Sequence, residues 1–276
     1  MVELDEELAA LREILAGMGS VLIAYSGGVD STLLLWAALD VLGPEQVLAV
    51  TGSSPIFSQR ERKAAEETAR RIGAPHRFVL TGQLEDEQFV QNPPQRCYFC
   101  KQEIFTRLAE VAREEGMSWV IDGSNLDDRD EYRPGAQAVL ELGVRSPLEE
   151  AGLTKVQVRA LSRRLGLPTW NRLAQTCLAT RFPYGNPITL EGLARVEAAE
   201  AILGEMGFGE LRVRDHDPIA RIEVAAEELA RLTQPEVAAR VVARFKRLGY
   251  AYVTLDLEGY RRGSLDESQK PGFCGW

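Results

Sequence analysis

Apolar side chains at Leu4, Leu8, Leu11 and Leu15 recur at three- and four-residue intervals and predict an amphipathic helix at the start of the chain. The next apolar run, Val21 to Tyr25, has the length of a buried strand, and Thr32 to Leu42 has the composition of a helix. Strand-like runs recur at "QVLAVTG" (46–52), "HRFVL" (76–80) and "SWVIDGS" (118–124). Between them, 58–73 and 101–116 read as helices, each closing on a glycine, the residue that best ends a helix. Strands alternating with helices predict an α/β unit, a parallel sheet with helices on both faces. Beyond about residue 170 the rhythm changes. "PITLEGLARVEAAEAILGEMGFG" predicts a long helix, "ELRVRDH" and "ARIEVA" two strands joined at Asp217-Pro218, "PEVAARVVARFKRLG" a helix and "YAYVTLDL" a last strand. This is a smaller α+β unit with an antiparallel pair. The turn-rich stretch "LPTWNRLAQTCLATRFPYGNP" carries the boundary, so the expected domains are 1–170 and 171–276. No internal repeat or low-complexity segment interrupts the pattern, and the last dozen residues are expected to be mobile.

Composition narrows the function classes. With 276 residues, 45% of them hydrophobic, the chain can bury one substantial core and a smaller second one. Its 41 acidic residues outnumber 32 basic ones, for a formal net charge of −9, which weighs against a polyanion such as RNA as partner. The opening twenty residues are acidic and amphipathic and lack a signal peptide's basic and apolar regions, and no apolar run reaches membrane-spanning length. A cytoplasmic protein is expected. In that reducing compartment Cys97 and Cys100, two of the four cysteines, are better metal ligands or catalytic thiols than a structural disulfide.

The most informative stretch is "AYSGGVDST" (24–32). Gly27 and Gly28 allow a tight turn after a strand, and the helix that follows presents unpaired N–H groups and its positive dipole end, which together make an anion site. Ser26, Ser31 and Thr32 add hydroxyl donors. The pattern lacks the lysine of a Walker loop and the spacing of a dinucleotide fingerprint. It resembles the signature of the PP-loop family, Rossmann-like enzymes that cleave ATP between the α- and β-phosphates to adenylate a substrate. The resemblance implies that Ser26, Gly27, Gly28, Ser31 and Thr32 bind pyrophosphate and that Asp30 helps to hold Mg2+. Ligands of such sheets sit at the carboxyl ends of the strands, where Thr51, Gly52 and Ser53 follow one strand and Asp122, Gly123, Ser124 and Asn125 another. Asp128 and Arg133 are further candidates near the nucleotide.

"RCYFC" (96–100) sets Cys97 and Cys100 three positions apart, and Cys177 follows in "AQTCLATRFPYG". From the residues alone, a closed zinc site completed by Cys274 competes with an iron–sulfur cluster, whereas a thioredoxin-type pair belongs next to a different fold. His76 and His216 stand alone in sequence and read as surface or strand residues. Together with "DGSNLDDRDEYRPGAQAVLELGVRSPL", "RVRDHDPIARIEV" and "YVTLDLEGYRRGS", these segments are similar to the LarE family along nearly the whole chain. LarE proteins are ATP-dependent sulfur insertases of nickel-pincer nucleotide synthesis. The resemblance implies a pyridinium-3,5-biscarboxylic acid mononucleotide as substrate, its carboxylate adenylated and then converted to a thiocarboxylate. Members with one cysteine, here Cys177, give up its sulfur and leave dehydroalanine; members with an added CxxC pair hold a 4Fe-4S cluster on three thiolates. This chain has the pair, so Cys97, Cys100 and Cys177 are the expected cluster ligands, with a separate sulfide donor. The family also implies a homo-oligomer, a hexamer.

Arg212 and Arg214 alternate on one strand, so both guanidinium groups lie on one face. They suit a phosphate, as the resemblance implies, or else form a solvent-facing basic edge. Glu200 and Asp256 match the family's active-site acids, and Glu223 reads either as a metal ligand of the family fold or as a partner of Arg221. Three other functions compete: an ammonia-using amide synthetase, which needs no cysteine; a tRNA thiolation enzyme, which needs a basic groove; and a noncatalytic nucleotide-binding module.

Overall fold

A computed structural model describes residues 2–129, 134–173, 176–261 and 263–265 of the chain. Arg133, Cys274 and most of the last dozen residues, expected to be mobile, lie outside the described residues. The chain divides into two compact units, one made of 1–89 and 94–175, the other of 90–93 and 176–276. The four-residue excursion of Val90–Pro93 into the second unit has no signature in the hydrophobic pattern.

The first unit contains strands β1 (Val21–Ala24), β2 (Val47–Ser53), β3 (His76–Leu80) and β4 (Trp119–Ile121), all parallel and ordered β3-β2-β1-β4. Alternation along the strands separates two cores. Val21, Ile23, Val47 and Ala49 face the helices Val2–Ala16, Val29–Leu42 and Lys155–Arg164, whereas Leu22 and Val50 face Phe105, Leu108 and Val111 of the helix Arg96–Glu114. The helix Val29–Leu42 is apolar on almost every side because it lies inside the first of these cores. Gly73 and Gly116, with φ of 73° and 66°, end their helices as the sequence predicts. The sheet order reverses around β1, which pairs with β2 on one side and β4 on the other, so its carboxyl end opens the crevice where such sheets bind ligands. One boundary differs from expectation. The helix expected from residue 101 begins at Arg96, so Cys97 and Cys100 lie in its first two turns rather than in the loop ahead of it. The break falls at Pro93-Pro94, the last positions that cannot donate to a helix.

The second unit is built on β5 (Leu211–His216), β6 (Ile219–Val224) and β7 (Tyr252–Leu255), in that order. The β5–β6 pair is antiparallel as predicted, and β7 returns parallel to β6 through the helix Pro235–Arg247. Val213, Ile222 and Val224 pack against Ala199, Ile202 and Leu203 of the helix Leu190–Glu205 and against Val241 and Phe245. Thr189 caps the first of these helices by accepting the Gly192 N–H at 3.0 Å. The opposite sheet face carries Arg212, Arg214, Arg221 and Glu223. The alternative of a solvent-facing basic edge is overturned: Arg212 is 6% exposed, Arg214 5% and Glu223 0%. Among the described residues, no helix is long and apolar enough to cross a membrane.

Candidate functional site

At the carboxyl end of β1 the chain turns sharply into the helix Val29–Leu42, and the turn is Ser26, Gly27 and Gly28. Gly27 has φ of 69°, and a Cβ there would stand 2.8 Å from the Ala65 backbone, so both the turn and its packing require glycine. The hydroxyls hold the loop in shape. Ser26 Oγ lies 3.1 Å from Ser31 Oγ and accepts the Gly28 N–H at 3.3 Å, and Thr32 Oγ1 lies 3.4 Å from the buried Tyr25 hydroxyl. Burial pushes the Tyr25 phenol above its usual range, so it stays neutral.

Residues from the neighbouring strand ends frame this turn. Thr51 donates its hydroxyl to the Tyr25 carbonyl at 2.7 Å and therefore accepts from His76 Nε2 at 2.8 Å. Its hydroxyl is thus engaged in holding the start of the loop. Burial pushes His76 below its ordinary pKa, which favours the neutral imidazole in that bond. Ser53 accepts from Arg62 at 2.7 Å. On the other side, a Cβ on Gly123 would meet Ser31 N at 2.9 Å, so the chain after β4 passes directly against the first turn of the helix. Asp122 accepts from the hydroxyls of Ser124 and Ser146 at 2.8 and 2.7 Å. Asp128 accepts from Asn125 N and Nδ2, both at 3.0 Å, and Asn125 Nδ2 also reaches Asp30 at 3.3 Å.

Two cations at this site were missed by the sequence reading. Lys155, at the first position of its helix, forms an ion pair with Asp30, and Arg172 donates to the Gly27 carbonyl at 2.8 Å. Nothing in their local sequence marks them, because they reach the loop from more than a hundred residues away. The turn therefore combines oriented N–H groups, three hydroxyls and two cations, the donor set of a polyphosphate site. Asp30, partly exposed, is a carboxylate suited to Mg2+, which takes one or two carboxylates and completes its shell with phosphate oxygens and water.

Cys97 and Cys100, one exposed and the other half-buried, stand three positions apart on a helix and so share one face. The Gln83 carboxamide, fully buried, points its Nε2 at Cys100 Sγ from 4.0 Å. Cys177, also a half-buried thiol, belongs to the second unit, where it precedes a short 3-10 turn. Within each unit, among the described residues, no group of three His, Cys, Asp or Glu side chains is gathered as a metal site.

The Cys177 segment is fastened by Arg181, a third residue that the sequence reading passed over. Arg181 donates to the carbonyls of Thr176 and Cys177 at 3.0 and 3.1 Å and grips Glu200 bidentately at 2.7 and 2.9 Å. Glu200 also accepts the Val213 N–H at 3.1 Å, closing an open position on the edge strand β5. Both oxygens of this expected catalytic acid are thus engaged in structure. Arg214 is likewise closed: it pairs bidentately with Glu223 at 2.9 and 2.8 Å and donates to the Thr180 carbonyl at 2.7 Å. Arg221 adds a bond to Glu223 at 3.1 Å and approaches Asp256 at 3.7 Å. A carboxylate already held by two guanidinium groups does not fit a metal ligand, so the pairing with Arg221 is the alternative that the geometry supports for Glu223. Arg212 differs. Its guanidinium lies 4.9 Å over the Tyr260 ring, donates to the Leu211 carbonyl at 2.6 Å, and has no carboxylate partner among the described residues. Burial, and then the nearby Arg181, push its pKa down. A buried cation with no carboxylate partner among the described residues has the chemistry to take an anion.

No family model matches the chain. It is 39% identical to the pyridinium-3,5-bisthiocarboxylic acid mononucleotide synthase of Lactiplantibacillus plantarum over 268 residues, 97% of this chain and 96% of that one. An uncharacterized protein of Synechocystis sp. is 44% identical over 263 residues, 95% of this chain and 98% of its own length. Argininosuccinate synthase of Natronomonas pharaonis is 30% identical over 160 residues, 54% of this chain and 39% of its own. With identity of this order along nearly the whole of both chains, and a Ser26–Thr32 loop at the head of a parallel sheet, the chain belongs to the LarE family of PP-loop enzymes, that of the pyridinium-3,5-bisthiocarboxylic acid mononucleotide synthases.

Proposed function

We propose that this enzyme adenylates a carboxylate of pyridinium-3,5-biscarboxylic acid mononucleotide and converts it to a thiocarboxylate. ATP binds with its phosphates over the Ser26–Thr32 turn. Lys155 and Arg172 would neutralise phosphate charge there, and Asp30 would hold Mg2+, which would supply further positive charge to the phosphates. The substrate carboxylate attacks the α-phosphorus, pyrophosphate leaves, and an acyl-adenylate forms; a sulfur nucleophile then displaces AMP from the acyl carbon. The substrate's own phosphate pairs with Arg212, while Arg214, Glu223, Arg221 and Asp256 hold the sheet face around it. Glu200 acts through Arg181 to fix the Cys177 segment.

The observation that carries this reading lies within the second unit. Arg181 holds the Cys177 carbonyl and grips Glu200, which in turn accepts the N–H of Val213, the residue after Arg212, so the thiol segment and this buried cation share one hydrogen-bonded neighbourhood. An ammonia-using synthetase needs no such thiol.

As the family resemblance implies, a 4Fe-4S cluster would be held by Cys97 and Cys100, on one helix face, with Cys177 as third ligand. When bound, such a cluster supplies an iron open to an extra sulfide, which makes sulfur transfer catalytic. The sulfide comes from a separate donor. The enzyme works in the cytoplasm as a homo-oligomer, a hexamer in this reading.

The test is iron and acid-labile sulfide in anaerobically purified protein, beside Cys97→Ala, Cys100→Ala and Cys177→Ala variants. Equal amounts of iron and sulfide, lost in each variant, are expected. Zinc in their place overturns the cluster; dehydroalanine at Cys177 after turnover with ATP and substrate identifies the thiol itself as the sulfur source.

A further inference from the structure

The helix Lys155–Arg164 carries Lys155, Arg159 and Arg163 at successive i, i+4 positions, so all three cations lie on one face. Lys155 meets Asp30 of the phosphate turn directly. Arg159 and Arg163 instead hold the segment that follows the helix. Arg159 donates from Nη1 to the Trp170 carbonyl at 2.8 Å and from Nη2 to the Arg172 carbonyl at 2.9 Å, and the Arg163 guanidinium lies 5.0 Å over the Trp170 ring. Residues 170–172 belong to no helix or strand, so no ladder takes those two carbonyls. The N–H groups of the segment are already used, Trp170 N on the Leu167 carbonyl at 3.4 Å and Arg172 N on that of Thr169 at 3.0 Å. The planar fork of Arg159 therefore supplies what the turn lacks, two donors held rigidly in one plane.

From this segment Arg172 reaches back and donates its Nη1 to the Gly27 carbonyl at 2.8 Å. That oxygen belongs to the peptide between Gly27 and Gly28, where neither residue has a side chain to resist rotation of the plane. In a planar trans peptide the C=O and the N–H point in opposite directions, so holding the Gly27 oxygen fixes where the Gly28 N–H points. Gly28 caps the start of the helix Val29–Leu42, and its N–H belongs to the set that such a turn offers to an anion. Among the described residues, neither Arg159 nor Arg172 has a carboxylate partner, so no acid competes with the carbonyls for either guanidinium. All of these residues lie in the first unit.

We propose that Arg159 is a positioning residue for the phosphate turn: it holds the backbone of Trp170 and Arg172, and through Arg172 it sets the Gly27–Gly28 peptide against which the phosphates of ATP bind. Its hydrogen bonds go to the 170–172 segment and not to the turn, so its effect passes through Arg172. The inference rests on the reading that ATP phosphates lie over the Ser26–Thr32 turn, and it adds the residue that keeps the donors of that turn aligned.

The test uses the full-length chain and two readings: affinity for ATP with Mg2+ by calorimetry, and amide hydrogen exchange of the peptide covering 24–32 without nucleotide. Arg159→Ala should weaken ATP binding about tenfold, the loss expected when two hydrogen bonds of ordinary strength disappear, and should speed exchange in 24–32. Arg159→Lys keeps the charge but not the fork, and should bind ATP as weakly as Arg159→Ala. Arg172→Ala should lose at least as much. Adding Arg159→Ala to Arg172→Ala should then change neither reading further, because a residue that acts only through another has no effect in its absence. Losses that multiply in the double variant would give Arg159 a role of its own and overturn the relay, as would wild-type affinity in Arg159→Ala or Arg159→Lys. Arg163→Ala removes the stacking on Trp170 but leaves both carbonyl bonds, and should bind ATP like the wild type. A loss there equal to that of Arg159→Ala, or faster exchange throughout the chain in Arg159→Ala, would mean general loosening and would also overturn it. Exchange that responds as expected in a wild-type chain that binds no ATP would defeat the phosphate reading and leave the relay standing.

Discussion

Arg212 and Arg214 stand two positions apart on the same strand face, and their surroundings give them different tasks. Arg214 is the partner of a fully buried carboxylate, Glu223, whereas among the described residues Arg212 has a carbonyl and an aromatic ring and no carboxylate. Arg214→Ala should destabilise the protein by about 3 kcal/mol, because it removes the bidentate partner of a buried charge. Arg212→Ala should cost less than about 1 kcal/mol yet weaken substrate binding about tenfold, since truncation removes a buried cation with no carboxylate partner among the described residues. Chemical unfolding together with substrate titration separates the two; similar losses of stability in both variants would refute the distinction. Lys155 follows the same logic in the first unit. Its partner Asp30 is partly exposed, so Lys155→Met should leave the unfolding midpoint nearly unchanged while raising KM for ATP about tenfold. A wild-type KM would remove Lys155 from the phosphate site. Both arginines were legible as a pair from their alternation, but their difference was not, because it depends on which strand lies beside them.

Among the elements, the turn from β1 into the helix Val29–Leu42 was the most legible, since glycines, hydroxyls and an acid between an apolar strand and an apolar helix leave few other readings. Gly27→Ala tests it. Holding alanine at φ of 69° costs about 1–2 kcal/mol, and its methyl group would press on the Ala65 backbone. ATP-dependent pyrophosphate release should fall by about a hundredfold, because an ångström of displacement at a reacting group has that effect. Activity within a few-fold of wild type would show that the turn tolerates the change. The cysteine pair was less legible. The helix was expected to begin after it, yet the first two turns already contain both thiols and therefore direct them to one side.

For the whole molecule, the proposed function draws on residues of both units. Cys97→Ala alters a thiol in the first unit without touching the phosphate turn, so ATP-dependent pyrophosphate release should stay within about threefold of wild type while bound iron falls below about a third of it. Loss of both together would mean that the cysteines serve the nucleotide site directly. A net charge of −9 is compatible with the proposed anion sites, because those need only a few cations at fixed places: Lys155 and Arg172 at the loop, Arg212 in the second unit.

The sequence by itself determined the parallel α/β unit, the antiparallel pair that follows it, the phosphate turn and the three thiols, because strand and helix periods and the demands of a glycine turn are local. Only the tertiary structure decided that Arg181 and Glu200 hold the Cys177 segment, that Arg214 pairs with Glu223 while Arg212 has no carboxylate partner among the described residues, that Lys155 meets Asp30, and that four residues around Asn92 cross into the second unit. Each of these depends on partners far apart in sequence, and pairing at that range follows from how packed elements close on one another rather than from any local pattern.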